Sequence, residues 1–278
     1  VAKPAGPTSH DVVALVRRAL GGVRAGHLGT LDPFAAGVLV VVVGRATRLA
    51  QFAAAWPKTY EGTLRLGMTT DTDDRTGTPV STSEAWREVT AEAVAAALDR
   101  FRGSFAQRPP AFSAVKIGGE RAYRRARRGE TVEPAPRAVT VFALELTAWA
   151  PPDVRFRSVV SGGTYLRSLA RDIGAALGCG AHLAALTRTA VGSYGLADAV
   201  APEAVQVPDL RPPDALVAEL PRHALSDAER AAVVHGRTVA GGETGDGGRV
   251  ALFHGAELVA VAELVGGMLK PRVVVADA

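Results

Sequence analysis

The chain is poor in cysteine and in aromatic side chains: Cys179 stands alone among 278 residues, and Phe, Trp and Tyr together make up 5%. A single cysteine excludes an internal disulfide and any zinc site built from several thiolates, and points to a reducing cytoplasm. No apolar run approaches the roughly 20 residues that a membrane helix needs. The opening Val-Ala-Lys-Pro-Ala-Gly lacks the apolar core of a signal peptide, and its start at Val1 rather than methionine is read as trimming. There is no phosphate loop, dinucleotide fingerprint or metal-ligand spacing, so no cofactor and no metal are expected. What remains is ordinary for a soluble globular protein, with 47% hydrophobic and 22% charged residues. The length allows one large domain or two.

The 32 basic and 28 acidic residues leave a net charge of only +4, and it is unevenly spread. Residues 102–137 carry nine basic and three acidic side chains, whereas residues 201–278 carry seven and eleven. One segment thus holds the positive field, as expected where a polyanion docks, although an Arg-rich helix face in water has the same composition.

The organising stretch is Gly26-His27-Leu28-Gly29-Thr30-Leu31-Asp32-Pro33-Phe34-Ala35-Ala36-Gly37. It has neither a helical nor a strand period and reads as an ordered loop. Pro33 pushes Asp32 out of the α region, and the glycines permit close backbone approach. The run Val38–Val43 follows at once and predicts a strand buried on both faces. Asp32 in such a stiff loop is well placed as a catalytic carboxylate; alternatively, Asp32-Pro33 merely starts a turn. His27 could be a base, a brace or a ligand, but no second histidine lies at metal-binding spacing.

Upstream, Thr8 or Ser9 can cap a helix with the stripe Val12, Leu15, Val16, Ala19 and Leu20, stopped by Gly21-Gly22. Downstream, Arg45 and Arg48 fall at a helix start and suit either phosphate contact or solvent. Lys58–Gly67 reads as a strand with Tyr60, Leu64 and Leu66 on one face. Thr70-Asp71-Thr72-Asp73-Asp74 is a polar loop without the calcium-loop pattern. Thr90 caps a helix with Val94, Ala97, Leu98 and Phe101 on one side. Residues 107–129 are rich in proline, glycine and arginine and form a mobile arm rather than core. Ser158–Gly174 reads as strand, glycine turn and helix, with Leu166, Leu169, Ala170 and Ile173 inward. Beyond the prolines at 202, 208, 212 and 213, Arg249–His254, Leu258–Ala262 and Val273–Val275 suggest a small β-meander.

Several of these stretches, in order, resemble the TruB family of pseudouridine synthases. Gly26–Leu39 matches G-H-x-G-T-L-D-P-x-A-x-G-V-L throughout, and Lys3–Ser9 matches K-P-x-G-x-T-S, with Ala2 where the family carries an acidic residue; this second motif is read as mainly structural, a brace for the Asp32 loop. Lys58–Gly67 is similar to K-x-Y-x-x-x-L-x-L-G, the acidic loop to T-D-T-x-D, and the arm to Q-x-P-P-x-x-S-A-x-K-x-x-G-x-x-x-Y-x-x-A-R-x-G. Ser161–Gly174 resembles S-x-G-T-Y-[IL]-R-S-L-x-x-D-[IL]-G, and His182–Thr189 resembles H-L-x-x-L-x-R-T, with Thr187 in place of a basic residue. The resemblance covers about two-thirds of the chain.

The resemblance implies an α/β (α+β) fold with a central mixed sheet flanked by helices. It implies a catalytic domain over 1–205 with an RNA-gripping insertion at about 104–135, then a linker and a PUA-like RNA-binding β domain over 206–278. The implied reaction is isomerisation of uridine to pseudouridine at position 55 in the TΨC loop of tRNA, with neither cofactor nor guide RNA, by a cytoplasmic monomer that needs no protein partner or membrane. Asp32 is then catalytic, Arg167 its partner, and Tyr60 the ring that stacks on a flipped base. His27, Gly29, Thr30, Tyr165 and Leu183 are expected to line the substrate site. Lys3, Arg45, Lys116, Arg121, Tyr123, Arg124, Arg127, Lys270 and Arg272 are expected to contact RNA. The alternatives are a tRNA-binding folding factor with vestigial catalysis, or a guide-RNA-dependent relative.

Overall fold

The computed structural model describes residues 1–241 and 247–277 and contains two compact units. The first gathers Val1–Val12, Gly29–Val40 and Ala55–Ala201; the second gathers Val13–Leu28, Val41–Ala54 and Pro202–Ala278. One division falls at 201/202, and two N-terminal segments, Val13–Leu28 and Val41–Ala54, group with the C-terminal part.

The chain opens with strand β1 (Ala2–Lys3), helix α1 (Ser9–Ala19), β2 (Ala25–Leu28), β3 (Ala36–Val38), β4 (Val40–Val43), β5 (Lys58–Leu66), β6 (Met68–Thr70) and β7 (Pro79–Thr82). Helix α2 (Ala91–Asp99), β8 (Gly103–Gln107), β9 (Lys116–Ile117), β10 (Glu120–Arg121), α3 (Ala122–Arg127) and β11 (Arg137–Ala150) come next. β12 (Asp153–Val160), α4 (Leu166–Ala176), β13 (Ala181–Val191) and β14 (Tyr194–Gly195) follow; of the elements up to β14, β2 and most of α1 and β4 belong to the second unit.

An eight-stranded sheet runs β1-β3-β13-β5-β12-β11-β8, with β14 beside β13. It is mixed, as expected: β3 and β13 are parallel and the other pairs antiparallel. Leu64, Leu144, Val154 and Phe156 of the sheet share one core with Val94 and Leu98 of α2 and Leu169 and Ile173 of α4. The helical spacing of those apolar residues is what lets each helix bury one stripe against the sheet. The Thr90 hydroxyl caps α2, accepting from the Ala93 amide at 3.2 Å.

The apolar run after the loop departs from expectation. Val38–Val43 is not one doubly buried strand: β3 joins the large sheet, whereas β4 pairs with β2 in a separate ribbon. The break falls at Leu39, and Val40, Val41 and Val43 are only half-buried. Apolar content signals burial but does not say which sheet takes each residue.

The second unit contains β15 (Arg222–Ala224), α5 (Asp227–Val234), β16 (Val239–Ala240), β17 (Arg249–His254), β18 (Glu257–Val265) and β19 (Met268–Val274). β17, β18 and β19 form the expected meander inside a five-stranded sheet ordered β15-β17-β18-β19-β16. Helix α5 was not expected, although Ser226 and Glu229 form a capping box at its start.

Besides Arg167, the cations Lys3, Lys58 and Arg188 are buried in the first unit, at 1%, 6% and 1% exposure. The Lys3 ammonium donates to the carbonyls of Pro4, Pro33 and Ala35 at 2.9, 3.3 and 2.7 Å. Lys58 donates to the Trp56 carbonyl at 2.7 Å. Gly37, on β3, has φ +111° and pairs in register with Arg188 of β13. A Cβ there would lie 2.1 Å from the Arg188 carbonyl oxygen.

Gly37→Ala is therefore expected to destabilise the fold by about 2–4 kcal/mol, from backbone strain and overpacking together; a urea midpoint equal to the parent's would refute this. Lys58 yields a pH test. Burial, with the Arg188 charge acting the same way, pushes its ammonium from 10.5 down to about 8. Between these values the unfolded chain holds the proton and the folded chain does not, so stability rises with pH across the window. Lys58→Met removes the neutral-pH penalty. Its stability advantage over the parent is expected at pH 7 and should shrink between about pH 8 and 10.5; an advantage unchanged by pH would show that Lys58 is not the titrating group.

Candidate active site

The loop carrying Asp32 is held from both sides by the first unit's own groups. The Ser9 hydroxyl, at the start of α1, donates to the Leu31 carbonyl and accepts from the Leu31 amide, both at 2.9 Å. It is Thr8 that caps α1, by exchanging hydrogen bonds with Asp11. Lys3 holds the carbonyls of Pro33 and Ala35. Lys3 therefore does not present its charge to a phosphate: it is a buried brace for the loop, and the expectation of RNA contact there is corrected.

Arg167, the second residue of α4, meets Asp32 in a two-point fork. Its Nε donates to Asp32 Oδ2 at 2.9 Å and its Nη2 to Oδ1 at 3.1 Å. The same guanidinium donates to the carbonyls of Thr72 and Phe112, each at 2.9 Å. The side chain of Arg167 is 6% exposed and that of Asp32 is 34% exposed. The pair is thus anchored at the arginine and open at the carboxylate, which two parallel hydrogen bonds hold in a fixed orientation.

Asp74 was not among the expected site residues, yet its carboxylate lies 3.6 Å from Arg167 Nε. It is buried, and its Oδ1 accepts from the hydroxyls of Thr72 and Thr76 at 2.9 and 2.6 Å and from the Thr76 amide at 2.8 Å. Asp73 adopts φ +59°, and its Oδ2 pairs with Arg171 of α4 at 3.1 Å. The acidic loop thus serves arginines. Among the described residues no group of three or more His, Cys, Asp or Glu is placed to hold a metal ion. The signal in the sequence was the T-D-T-x-D pattern itself, whose acids read as loop polarity until α4 supplied their partners.

Tyr60 is 6% exposed, inside the core that also holds Leu31 and Phe34. Gly29 adopts φ +70°, and its carbonyl accepts from Arg188 Nη2 at 2.9 Å. Thr30 is exposed. Tyr165 precedes α4, and the Gln107 side chain pins its backbone by accepting from its amide at 2.9 Å and donating to its carbonyl at 3.1 Å. Burial pushes the Tyr165 phenol up, while the nearby Arg137 charge opposes the shift. Leu183 is fully buried in the core. Its side chain is therefore not a wall of an open site; its backbone instead ties the acidic loop, through the amide to Asp73 and the carbonyl from Arg75. His27 lies half-buried on β2, in the second unit.

In the arm, Lys116, Arg121, Arg124 and Arg127 are exposed. Arg125 and Arg128 are engaged by Glu120 and Glu130, and Arg108 by Glu133. Arg127 stacks on Tyr123 at 5.6 Å, and a hydrogen bond from Arg124 lowers the Tyr123 phenol pKa. In the second unit, Arg45 is tied to the Ala276 carbonyl and to Asp277. Arg272 is paired with Glu263 through Nε at 2.8 Å, and Lys270 lies opposite the same glutamate in the β18–β19 register. The neighbouring carboxylates offset much of the charge expected to meet phosphate at these positions.

Comparison with known proteins identifies the family. Residues 17–166 match the model of the TruB family pseudouridylate synthase N-terminal domain, and residues 167–232 match that of the tRNA pseudouridylate synthase B C-terminal domain. The chain is 43% identical to tRNA pseudouridine synthase B of Azoarcus sp. (strain BH72), covering 99% of this chain and 93% of that protein. It is 46% identical to the protein of that name from Thermobifida fusca (strain YX), covering 99% and 97%. Among solved structures, one of an H/ACA RNP bound to a substrate RNA containing 2'-deoxyuridine aligns with TM-score 0.73 and 26% identity, over 99% of this chain and 84% of that one. A Cbf5-Nop10-Gar1 complex gives TM-score 0.72 and 29% identity, over 98% and 83%. With its N-terminal family model spanning more than half of the residues and full-length relatives above 40% identity, the chain belongs to the TruB family of pseudouridylate synthases.

Proposed function

We propose that this chain isomerises uridine to pseudouridine at position 55 in the T loop of tRNA, as a cytoplasmic monomer without a guide RNA, a protein partner or a cofactor. The observation that carries the reading is the open Asp32 carboxylate held by the buried Arg167 fork. The reaction breaks the N1–C1′ glycosidic bond, turns the uracil and joins its C5 to C1′; C5 then loses its proton and N1 gains one, so atoms and electrons balance with no external group transferred. A carboxylate fixed against reorganisation can act at the ribose or at the base as charge develops there.

The target base must leave its stack, at a cost of roughly a few kcal/mol. Tyr60 is read as the flat apolar partner that offsets part of this cost while letting the ring turn. Tyr165, Gly29, Thr30 and His27 are read as further substrate contacts. Lys116, Arg121, Tyr123, Arg124 and Arg127 are assigned to the stem-loop: cations bind phosphate without reading sequence, and an aromatic can stack on an unpaired base. The C-terminal sheet is read as a PUA-like RNA-binding domain, with Lys270 and Arg272 among its exposed cations. The relatives' name, tRNA pseudouridine synthase B, supports tRNA as substrate. The likeness to H/ACA complexes favours a guided enzyme, but the exposed cations of the arm favour unguided recognition of a stem-loop.

The deciding assay incubates an unmodified T-arm stem-loop with the protein alone and maps pseudouridine by carbodiimide-induced reverse-transcription stops. A stop at the target uridine is expected, and Asp32→Asn should lower turnover by roughly 10³-fold or more while RNA binding persists. Tight binding without a stop would favour a folding factor, and near-parental turnover of Asp32→Asn would remove that carboxylate from its role. A second expectation concerns the arm: limited proteolysis within 107–129 should slow when the stem-loop is bound. Equal cleavage with and without RNA would exclude the arm from the interface.

A further inference from the structure

Arg188 takes no part in the chemistry assigned above, yet it sits where the parts of the site meet. It lies on β13, between β3 and β5 in the large sheet. Its backbone pairs with Gly37, where the chain leaves the Asp32 loop, and with Tyr60 on the opposite strand. Its side chain repeats the connection. Nη2 donates to the Gly29 carbonyl at 2.9 Å, Nε to the Val38 carbonyl at 2.7 Å, and Nη1 lies 3.5 Å from the Tyr60 hydroxyl. Gly29 and Val38 bracket Asp32 in the chain, so one planar fork holds both ends of the loop and the phenol. Because a guanidinium only donates, the Tyr60 oxygen is the acceptor in this contact, and its own proton is left to point elsewhere.

The energetics of this residue are unfavourable on stability grounds. At 1% exposure Arg188 cannot reach an RNA from inside the sheet. Among the described residues no carboxylate lies within ion-pair distance of it, and the Val1 ammonium, Lys3 and Lys58 feel its charge as repulsion. A buried charge without a counter-ion is costly, and an apolar side chain of similar volume is often as stable or more so. Stability therefore does not account for an arginine at this position, whereas a rigid, multi-point donor that sets one group against another does.

We propose that Arg188 is a positioning residue that sets Tyr60 against the Asp32 loop, and thereby sets the rate of the base rearrangement without contributing to RNA affinity. The proposal rests on the pseudouridine synthase reading above. It predicts a split between rate and affinity, which a residue serving only to hold the fold would not produce.

The test measures single-turnover conversion of the T-arm stem-loop and its dissociation constant for the parent, Arg188→Met and Arg188→Lys. Arg188→Met is expected to fold, to bind RNA within about threefold of the parent, and to convert it about 30-fold more slowly or worse, as misplacement of reacting groups does. Arg188→Lys keeps the charge but loses the fork; it is expected to be slowed about fivefold or more at unchanged affinity, and it decides the matter if Arg188→Met does not fold. Parental speed in either folded variant would overturn the proposal, and so would a loss of affinity as large as the loss of rate. No conversion by the parent chain would overturn the function reading and this proposal with it, whereas a fast parent with fast variants would overturn the proposal alone.

Discussion

The fork between Arg167 and Asp32 is the constraint that the first unit is arranged to satisfy. The two residues are 135 positions apart, so their meeting requires the N-terminal loop and the start of α4 to be brought to the same place by the sheet. A guanidinium taken out of water must find acceptors for its donors, or the cost of burial removes any advantage of the pair. Two carboxylate oxygens and the carbonyls of Thr72 and Phe112 supply them, with Asp74 adding a second negative charge. Because the arginine is the buried partner, the fork holds the more exposed Asp32 carboxylate in a fixed orientation.

The same accounting separates the cations of this protein into two populations. Those buried in the first unit, Lys3, Lys58 and Arg188, spend their donors largely on main-chain carbonyls and stiffen the backbone. Those exposed on the arm have no such partners in the core and keep their charge for solvent or a polyanion. The second unit shows how misleading a linear charge count is. Residues 201–278 are acidic as a segment, but the unit also takes in residues 13–28 and 41–54, which bring five arginines and no acidic residue. Two of these, Arg45 and Arg48, donate to carbonyls of the C-terminal segment at Ala276 and Val274.

What the sequence revealed follows from how local each signal is. Tyr60, Leu64 and Leu66 announced β5 through a two-residue period, and Thr90 announced α2 through a cap, because both signals lie within one element. The Asp32–Arg167 pairing could be named only through family resemblance, since no local pattern links positions so far apart. Lys3 was expected to meet RNA although its motif also read as a brace for the loop, and only the fold of residues 33–35 around its ammonium decides between the two. Leu183 shows the limit of a motif match, which locates a residue in a strand without saying whether its side chain or its backbone does the work. The run Val38–Val43 carried a correct statement of apolar content and an incorrect statement of continuity, because leaving one sheet for another at Leu39 depends on partners outside the run.

The root of the arm and helix α4 are coupled by hydrogen bonds. Gln107, at the end of β8, is locked to the Tyr165 backbone; the Arg108 carbonyl accepts from Ser168 and Arg171; and the Phe112 carbonyl accepts from Arg167 itself. All four partners lie at Tyr165 or within the first half of α4. The root of the arm is therefore part of the same hydrogen-bond set that holds Asp32, whereas Lys116, Arg121, Arg124 and Arg127 lie beyond it and are exposed. A fixed root limits the conformations the distal part has to lose when it grips a ligand, which lowers the ordering cost of binding. It also means that the carbonyl shared with Arg167 cannot shift without altering the fork. In the proposed function, an RNA held by the arm and the carboxylate held by Arg167 are therefore referenced to one element, the start of α4.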